Sequence, residues 1–230
     1  MQVTLVSHTP DPELTVALAA RLCYSPVSIG DLRERLSGSD IRKFLEKILT
    51  LGHLSVLEHA SFTFGIEGIS RVTTHQLVRH RLASFSQQSQ RYVTHKEMFE
   101  VVVPPSVSAD PVMEERFLSR VRELHSFYAE MVEAGIPAED ARYILPNATE
   151  TKILATMNAR ELLHFFGLRC CERAQWEIRA MAVEMLRLVR SAAPVLFEKA
   201  GPGCLSGACP EGEMTCGRMA AVREFFGSVQ

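Results

Sequence analysis

The chain has 230 residues, 47% hydrophobic and 23% charged, and 25 basic against 27 acidic side chains leave a net charge of −2. That composition suits a folded globular protein and gives no global basic field, so nucleic acid is not an expected partner. The N-terminus lacks a basic stretch ahead of an apolar run, no apolar run approaches the ~18 residues of a membrane span, and six cysteines without a secretory signal fit reduced thiols, so a cytoplasmic protein with no membrane attachment is expected.

In chain order, "QVTLVS" alternates and predicts a strand, and "DPELTVALAARLCY" predicts a helix. Ser39 is placed to cap "DIRKFLEKILTLG", where Ile41, Phe44, Leu45, Ile48 and Leu49 form one apolar stripe and Gly52 should stop the helix. "HASFTFGIE" puts Ala60, Phe62, Phe64 and Ile66 on one face of a strand. Ser70 caps a predicted helix from Arg71 to about Arg81, "SFSQQSQRYV" is extended, and "FEVVV" reads as a strand ended by Pro104 and Pro105. Asp110-Pro111 opens a long helix closed by Gly135, and Pro137 starts a short one that ends before Pro146. "ETKILATM" is a strand candidate, Asn158 caps "ARELLHFF", and a long amphipathic helix runs from about Glu172 until Pro194 interrupts it. Helices and strands mix without regular βα alternation, which predicts an α+β fold. Residues 1–200 are expected to form a single domain, with 201–230 as its Cys- and Gly-rich tail.

Chemistry concentrates in "RHRLASFSQQSQRY", Arg79 to Tyr92, a run of donors with almost no acid nearby. On a helix, His75, Gln76 and Arg79 can share a face. Beyond it, alternation sends Ser84, Ser86, Gln88 and Gln90 one way and Gln87, Ser89 and Arg91 the other. Guanidinium forks suit phosphates and planar anions, while serine and glutamine both donate and accept, as reading a base edge requires. A solvated polar face is the competing reading. An RNA-binding stripe is disfavoured, since Phe85 and Tyr92 are the nearby aromatics and net charge is low.

Three other stretches carry polar groups. "GHLSVLEH" holds His53, Ser55, Glu58 and His59, which taken alone read as caps and turn residues. "NARELLHFFGLRCCERAQW" places Arg160 and His164, and Arg169 and Arg173, four apart, although each arginine taken singly reads as structural. Arg142 in "DARYILP" has no distinguishing neighbour. No dinucleotide fingerprint, phosphate-binding P-loop or nucleophile elbow is present, and His75 and His80 are spaced poorly for zinc. The tail spaces Cys204, Cys209 and Cys216 as C-x4-C-x6-C. Three thiols would make most of a structural zinc site or a redox pair. The spacing matches no standard ribbon and no adjacent fourth ligand is evident, so buried or tolerated thiols and no metal are expected.

The pattern R-H-R-x-x-S continuing to S-x-R is similar to the signature of the flavin-dependent thymidylate synthases. The resemblance extends in order through "AARLCYS", "GHLSVLEHASFTF", the signature, "DARYILP" and "MNARELLHFFGLRCCERAQWEI", most of the chain. It implies an antiparallel or mixed sheet packed with long helices, and a homotetramer with active sites at subunit interfaces. It also implies reductive methylation of dUMP to dTMP, with methylenetetrahydrofolate as carbon donor and reduced FAD, recharged by NADPH, as hydride donor. By the same resemblance, Arg79, His80, Arg81, Ser55, Asn158, Arg160 and His164 contact FAD, His53 lies near it, and Gln87 touches both ligands. Gln76, Arg79, Gln88, Ser89, Gln90, Arg91, Arg142 and Arg169 hold dUMP, and Arg169 is the catalytic residue. The chain departs from many relatives at Ser86, where they carry asparagine, and at Gln87, where they carry glutamate. Cys23 stands where serine is common, and Arg173 where some relatives have histidine. Two alternatives stay open: a non-catalytic nucleotide- or flavin-binding protein on the same scaffold, and a small metalloprotein organised by the tail cysteines.

Overall fold

The computed structural model of the chain describes residues 1–94 and 97–229. Its elements are β1 (Gln2–His8), α1 (Pro12–Leu22), α2 (Ile29–Ser37), α3 (Arg42–Thr50), a 3-10 turn (Leu54–His59), β2 (Ser61–Ser70), α4 (Arg71–Leu77), β3 (Ala83–Gln87), α5 (Pro105–Ser108), α6 (Pro111–Glu133), α7 (Ala138–Ala141), β4 (Glu150–Asn158), α8 (Ala159–Arg169), α9 (Trp176–Ala192), α10 (Pro194–Phe197) and α11 (Met219–Ser228). Hydrogen bonding orders the strands β1-β2-β4-β3. The fold is α+β, as the mixture of patterns predicts.

The register of β2 on β4 follows from a few contacts. Ala159 N–H bonds Ala60 carbonyl, Thr63 meets Thr156 at 2.9 Å, and Lys152 pairs with Glu67, so the strands run antiparallel. Arg71 N–H then bonds Thr149 carbonyl, one residue out of that register. Gly68, which has φ +70°, lies between the last in-register contact at Glu67 and this bond. Ala60, Phe62, Phe64 and Ile66 are fully buried as alternation requires, but the next buried side chains are Ile69 and Ser70. An extra residue at a left-handed glycine is how a bulge changes the phase of a strand.

Several helix starts follow from caps visible in the sequence. Ser70 accepts from Thr73 N–H, Asp110 from Val112 and Met113 N–H, and Asn158 from Glu161 N–H. Gly52 and Gly135, at φ +73° and +84°, follow the ends of α3 and α6. Other expectations need correction. Ser39 does not cap α3; its hydroxyl donates to Leu36 carbonyl at the end of α2, and Asp40 accepts from Arg42 N–H instead. The missed helix α2 has its own start signal, Ser28 accepting from Asp31 N–H. The helix expected to reach Arg81 ends at Leu77, because a tighter turn, Arg79 N–H to Gln76 carbonyl, redirects the chain toward β3. "FEVVV" forms one antiparallel bridge, Val101 with Thr149, rather than a strand. Alternation beyond β3 stops at Gln87, and α9 begins at Trp176 under a cap from Gln175.

By compactness the chain forms two discontinuous units: Met1–Gln2, Ile66–Arg79 and Ser86–Ile153 in the first, Val3–Gly65, His80–Phe85 and Leu154–Gln230 in the second. Each strand passes from one unit to the other. The core of the first includes Ile66, Ile69, Phe99, and Val121 and Tyr128 of α6. In the second, Phe197 meets the edges of Phe62 and Phe166 at 5.4 and 6.1 Å between centroids. Residues 201–230 belong to the second unit and end in α11. Arg190 of α9 holds this tail by donating to the carbonyls of Ala200, Phe226 and Val229.

Candidate active site

Most of the residues expected to hold dUMP lie in the first unit. Gln88 N–H extends the pairing beyond β3 by bonding Lys152 carbonyl, and Gln88 carbonyl accepts from Arg71 Nη2 at 3.2 Å. Ser89 then accepts from Arg91 N–H, closing a turn that brings Gln90 forward. Arg91 pairs with Glu139 at 2.7 Å, and Glu139 carbonyl receives Arg142 Nε at 3.0 Å. A cavity of about 260 Å³ opens among Arg71, His75, Gln90, Arg142, Tyr143 and Asn147, with no carboxylate among the described residues of its lining. Burial, and then the charge of Arg142, push the pKa of Arg71 down. Two guanidiniums facing one cavity repel each other, and a phosphate dianion would relieve that repulsion.

The remaining predicted residues of this unit are not part of that lining. Gln87 is half-buried and donates to Thr74 and Thr151 hydroxyls, both at 3.2 Å. Thr74 sends its own proton to Arg71 carbonyl, so it accepts from Gln87. An amide at 87 therefore supplies what this setting needs, where a carboxylate would not. Gln76 lies on α4, and Arg79 is exposed just past its end.

The residues expected to hold FAD lie largely in the second unit. His53 and Ser55 are exposed on the turn ahead of β2, Arg81 is exposed ahead of β3, and Arg160 and His164 are exposed on α8. The turn and α8 pack together, and Arg160 Nη1 pairs with Glu58 at 2.5 Å. Asn158 uses its carbonyl oxygen as the cap of α8. Such exposed cationic and hydroxyl donors fit an anionic, planar cofactor with a pyrophosphate.

His80 differs from these neighbours because it is 5% exposed. Arg169 Nε–H donates to its Nε2 at 3.1 Å, so Nε2 carries no proton. The proton therefore sits on Nδ1, which faces Glu161 Oε1 at 3.1 Å. Burial pushes the pKa of His80 down, Glu161 opposes this, and the positive charge of Arg169 pushes it down further. The imidazole is neutral and held in one tautomer. Arg169 is half-buried; burial lowers its pKa too, but a guanidinium stays charged near neutral pH.

Sequence reasoning missed Arg71 and Glu161. Arg71 stands four before His75 on α4, the i,i+4 relation already noted for His75 and Arg79. Glu161 shares a stripe of α8 with Phe165 and Arg169 at successive steps of four, a signal hidden by the more conspicuous Arg160 and His164. A larger cavity of about 330 Å³ in the second unit is lined by Leu49, Leu54, Leu163 and Leu196 among others, and by none of the predicted site residues. Among the described residues, no group of three or more His, Cys, Asp or Glu is placed to hold a metal, and no helix is long and apolar enough to cross a membrane.

Geometry alone thus defines an α+β protein that gathers arginine, histidine and amide donors suited to anionic ligands. The chain belongs to the thymidylate synthase complementing protein family, whose pattern it matches over residues 4–195. It is similar to the flavin-dependent thymidylate synthase of Geobacter sulfurreducens, 65% identical over 98% of both chains. It is also similar to those of Clostridium tetani, 46% identical over 98% of this chain and 97% of that one, and Pyrococcus furiosus, 48% identical over 93% and 91%.

Proposed function

We propose that the protein catalyses reductive methylation of dUMP to dTMP, with methylenetetrahydrofolate as carbon donor and FAD as cofactor. The observation that carries this reading is the near full-length identity of 65% to a flavin-dependent thymidylate synthase. The carboxylate-free cavity between Arg71 and Arg142 supports it as a seat for the nucleotide phosphate, with Gln90 and Arg91 beside it. Gln76, Arg79, Gln87, Gln88 and Ser89 complete the nucleotide-binding set. FAD would be held by His53, Ser55, Arg79, His80, Arg81, Gln87, Asn158, Arg160 and His164. When bound it supplies the hydride, received from NADPH, that no side chain can provide.

The chain's own task is to bind, orient and stabilise charge. Carbon 5 of uracil is a weak nucleophile. Placing a cation against the N3–O4 edge stabilises the ring with N3 deprotonated, and electron density moves toward carbon 5. Arg169 fits this role because its guanidinium remains charged and planar. Cys170 is unsuited to act as a nucleophile: burial pushes its thiol up to about 12, so it holds its proton near neutral pH. The active enzyme is a homotetramer with sites at subunit interfaces, and it works in the cytoplasm.

The test is direct. Purified protein should show visible flavin absorption, lose it on adding NADPH, and form dTMP from dUMP and methylenetetrahydrofolate. Flavin-loaded protein that binds dUMP but forms no dTMP would instead favour the non-catalytic binding protein.

A further inference from the structure

Three side chains on one face of α8 surround the ring of His80. Glu161, Phe165 and Arg169 follow one another at steps of four, a stripe about 12 Å long on a helix. Side chains on a helix lean toward its N-terminus, so Arg169 reaches back and Glu161 sits ahead of it. His80, arriving from the segment before β3, inserts between them. Its ring meets Phe165 edge-on at 4.9 Å between centroids, and His164 at 5.9 Å. Phe165 is fully buried, and Glu161, like His80, is only 5% exposed.

The hydrogen bonds run in one direction. Arg169 Nε–H donates to His80 Nε2, and His80 Nδ1–H donates to Glu161 Oε1. Arginine has no acceptor, so the ring must present a lone pair at Nε2, and Glu161 keeps it there by accepting from Nδ1. A ring in the other tautomer, or doubly protonated, would point N–H at N–H and release the guanidinium. Nε, rather than either Nη, makes this bond, so the plane of the fork is set at its stem.

We propose that Glu161 is a positioning residue for the methylation reaction, acting through His80 to fix the plane in which Arg169 presents its guanidinium to the uracil ring. The proposal rests on the reading of Arg169 as the group that stabilises the uracil anion. Glu161 itself lies two hydrogen bonds away from Arg169, with His80 between them, and acts only through that ring.

Four proteins test this: the parent, Glu161→Ala, Arg169→Lys and the double variant, each flavin-loaded and assayed for kcat and KM for dUMP. Arg169→Lys keeps charge but loses the fork, and kcat should fall about tenfold. Glu161→Ala should lower kcat about tenfold with KM within about twofold, and the double variant should be no worse than Arg169→Lys alone. Unchanged kcat in Glu161→Ala, or losses that multiply in the double variant, overturn the proposal. Undiminished turnover in Arg169→Lys instead overturns the reading of Arg169, and is distinguishable because it concerns that variant alone. Should Glu161→Ala not fold, Glu161→Gln still answers. The charged or titratable groups acting on His80 are Glu161, Arg169 and His164, all from α8. Replacing the carboxylate by an amide removes the group that favours the protonated ring, so the acid limb of kcat should move to lower pH. An acid limb that stays in place, or moves up, overturns the proposal.

Discussion

A buried guanidinium nitrogen without a partner is costly, and Arg71 keeps one: its Nε is buried with no hydrogen-bond partner among the described residues, while Nη2 holds Gln88 carbonyl. Arg142 faces the same cavity and depresses the pKa of Arg71 further. The repulsion between the two guanidiniums is relieved if a dianion enters the cavity. Arg71→Met should therefore raise KM for dUMP by an amount equivalent to about 1.5–3 kcal/mol, the range for hydrogen bonds to charged groups. Binding of deoxyuridine, which lacks the phosphate, should change little. Equal losses for nucleoside and nucleotide would remove Arg71 from the phosphate seat.

At the level of elements, a single glycine sets how β2 meets its neighbours. Gly68 is left-handed, and a Cβ there would lie 3.0 Å from the backbone of Met1. Strand β2 can thus bury Phe62, Phe64 and Ile66, slip by one, and still deliver Ser70 as the cap of α4. Gly68→Ala should cost at least about 1–2 kcal/mol from the left-handed backbone alone, read from denaturant midpoints. A midpoint equal to the parent's would mean that the slip does not depend on this conformation. The cap matters to function because α4 carries Arg71, His75 and Gln76.

For the whole molecule, His80 links protonation to stability. Its folded pKa lies below the ordinary value of 6.5. Above that value folded and unfolded chains are both neutral at this ring; below it the unfolded chain gains a proton that the folded one resists. Stability should therefore fall as pH drops through about 6.5 toward the lower folded pKa, and the fall in Tm between about pH 7.5 and 5 should shrink in His80→Gln. An equal fall in both proteins would show that other groups govern acid stability. On the single chain Leu82 is 72% and Val112 70% exposed, and the proposed tetramer is tested directly. Light scattering should report four chains per particle. A fully active monomer at assay concentration would refute it.

Periodicity and caps were enough to locate β1, β2, β4, α1, α6 and α8, because each depends on residues a few positions apart: Phe62, Phe64 and Ile66 alternate, and Asp110 and Asn158 bond backbone amides within three residues. The motifs likewise indicated the family. Local pattern fails where distant partners decide. "FEVVV" has the composition of a strand but forms one bridge to Thr149, and the helix after Ser70 stops early as the chain turns into β3 to pair with β4. The same holds for chemistry. Arg169, His80 and Glu161 are spread over 90 residues of sequence, and only folding makes one tautomer of His80 a shared partner for the other two. Arg71 and Arg142 are 71 positions apart and each is unremarkable alone. Their mutual repulsion, which marks the cavity as a place for an anion, exists only once tertiary structure brings both charges to it.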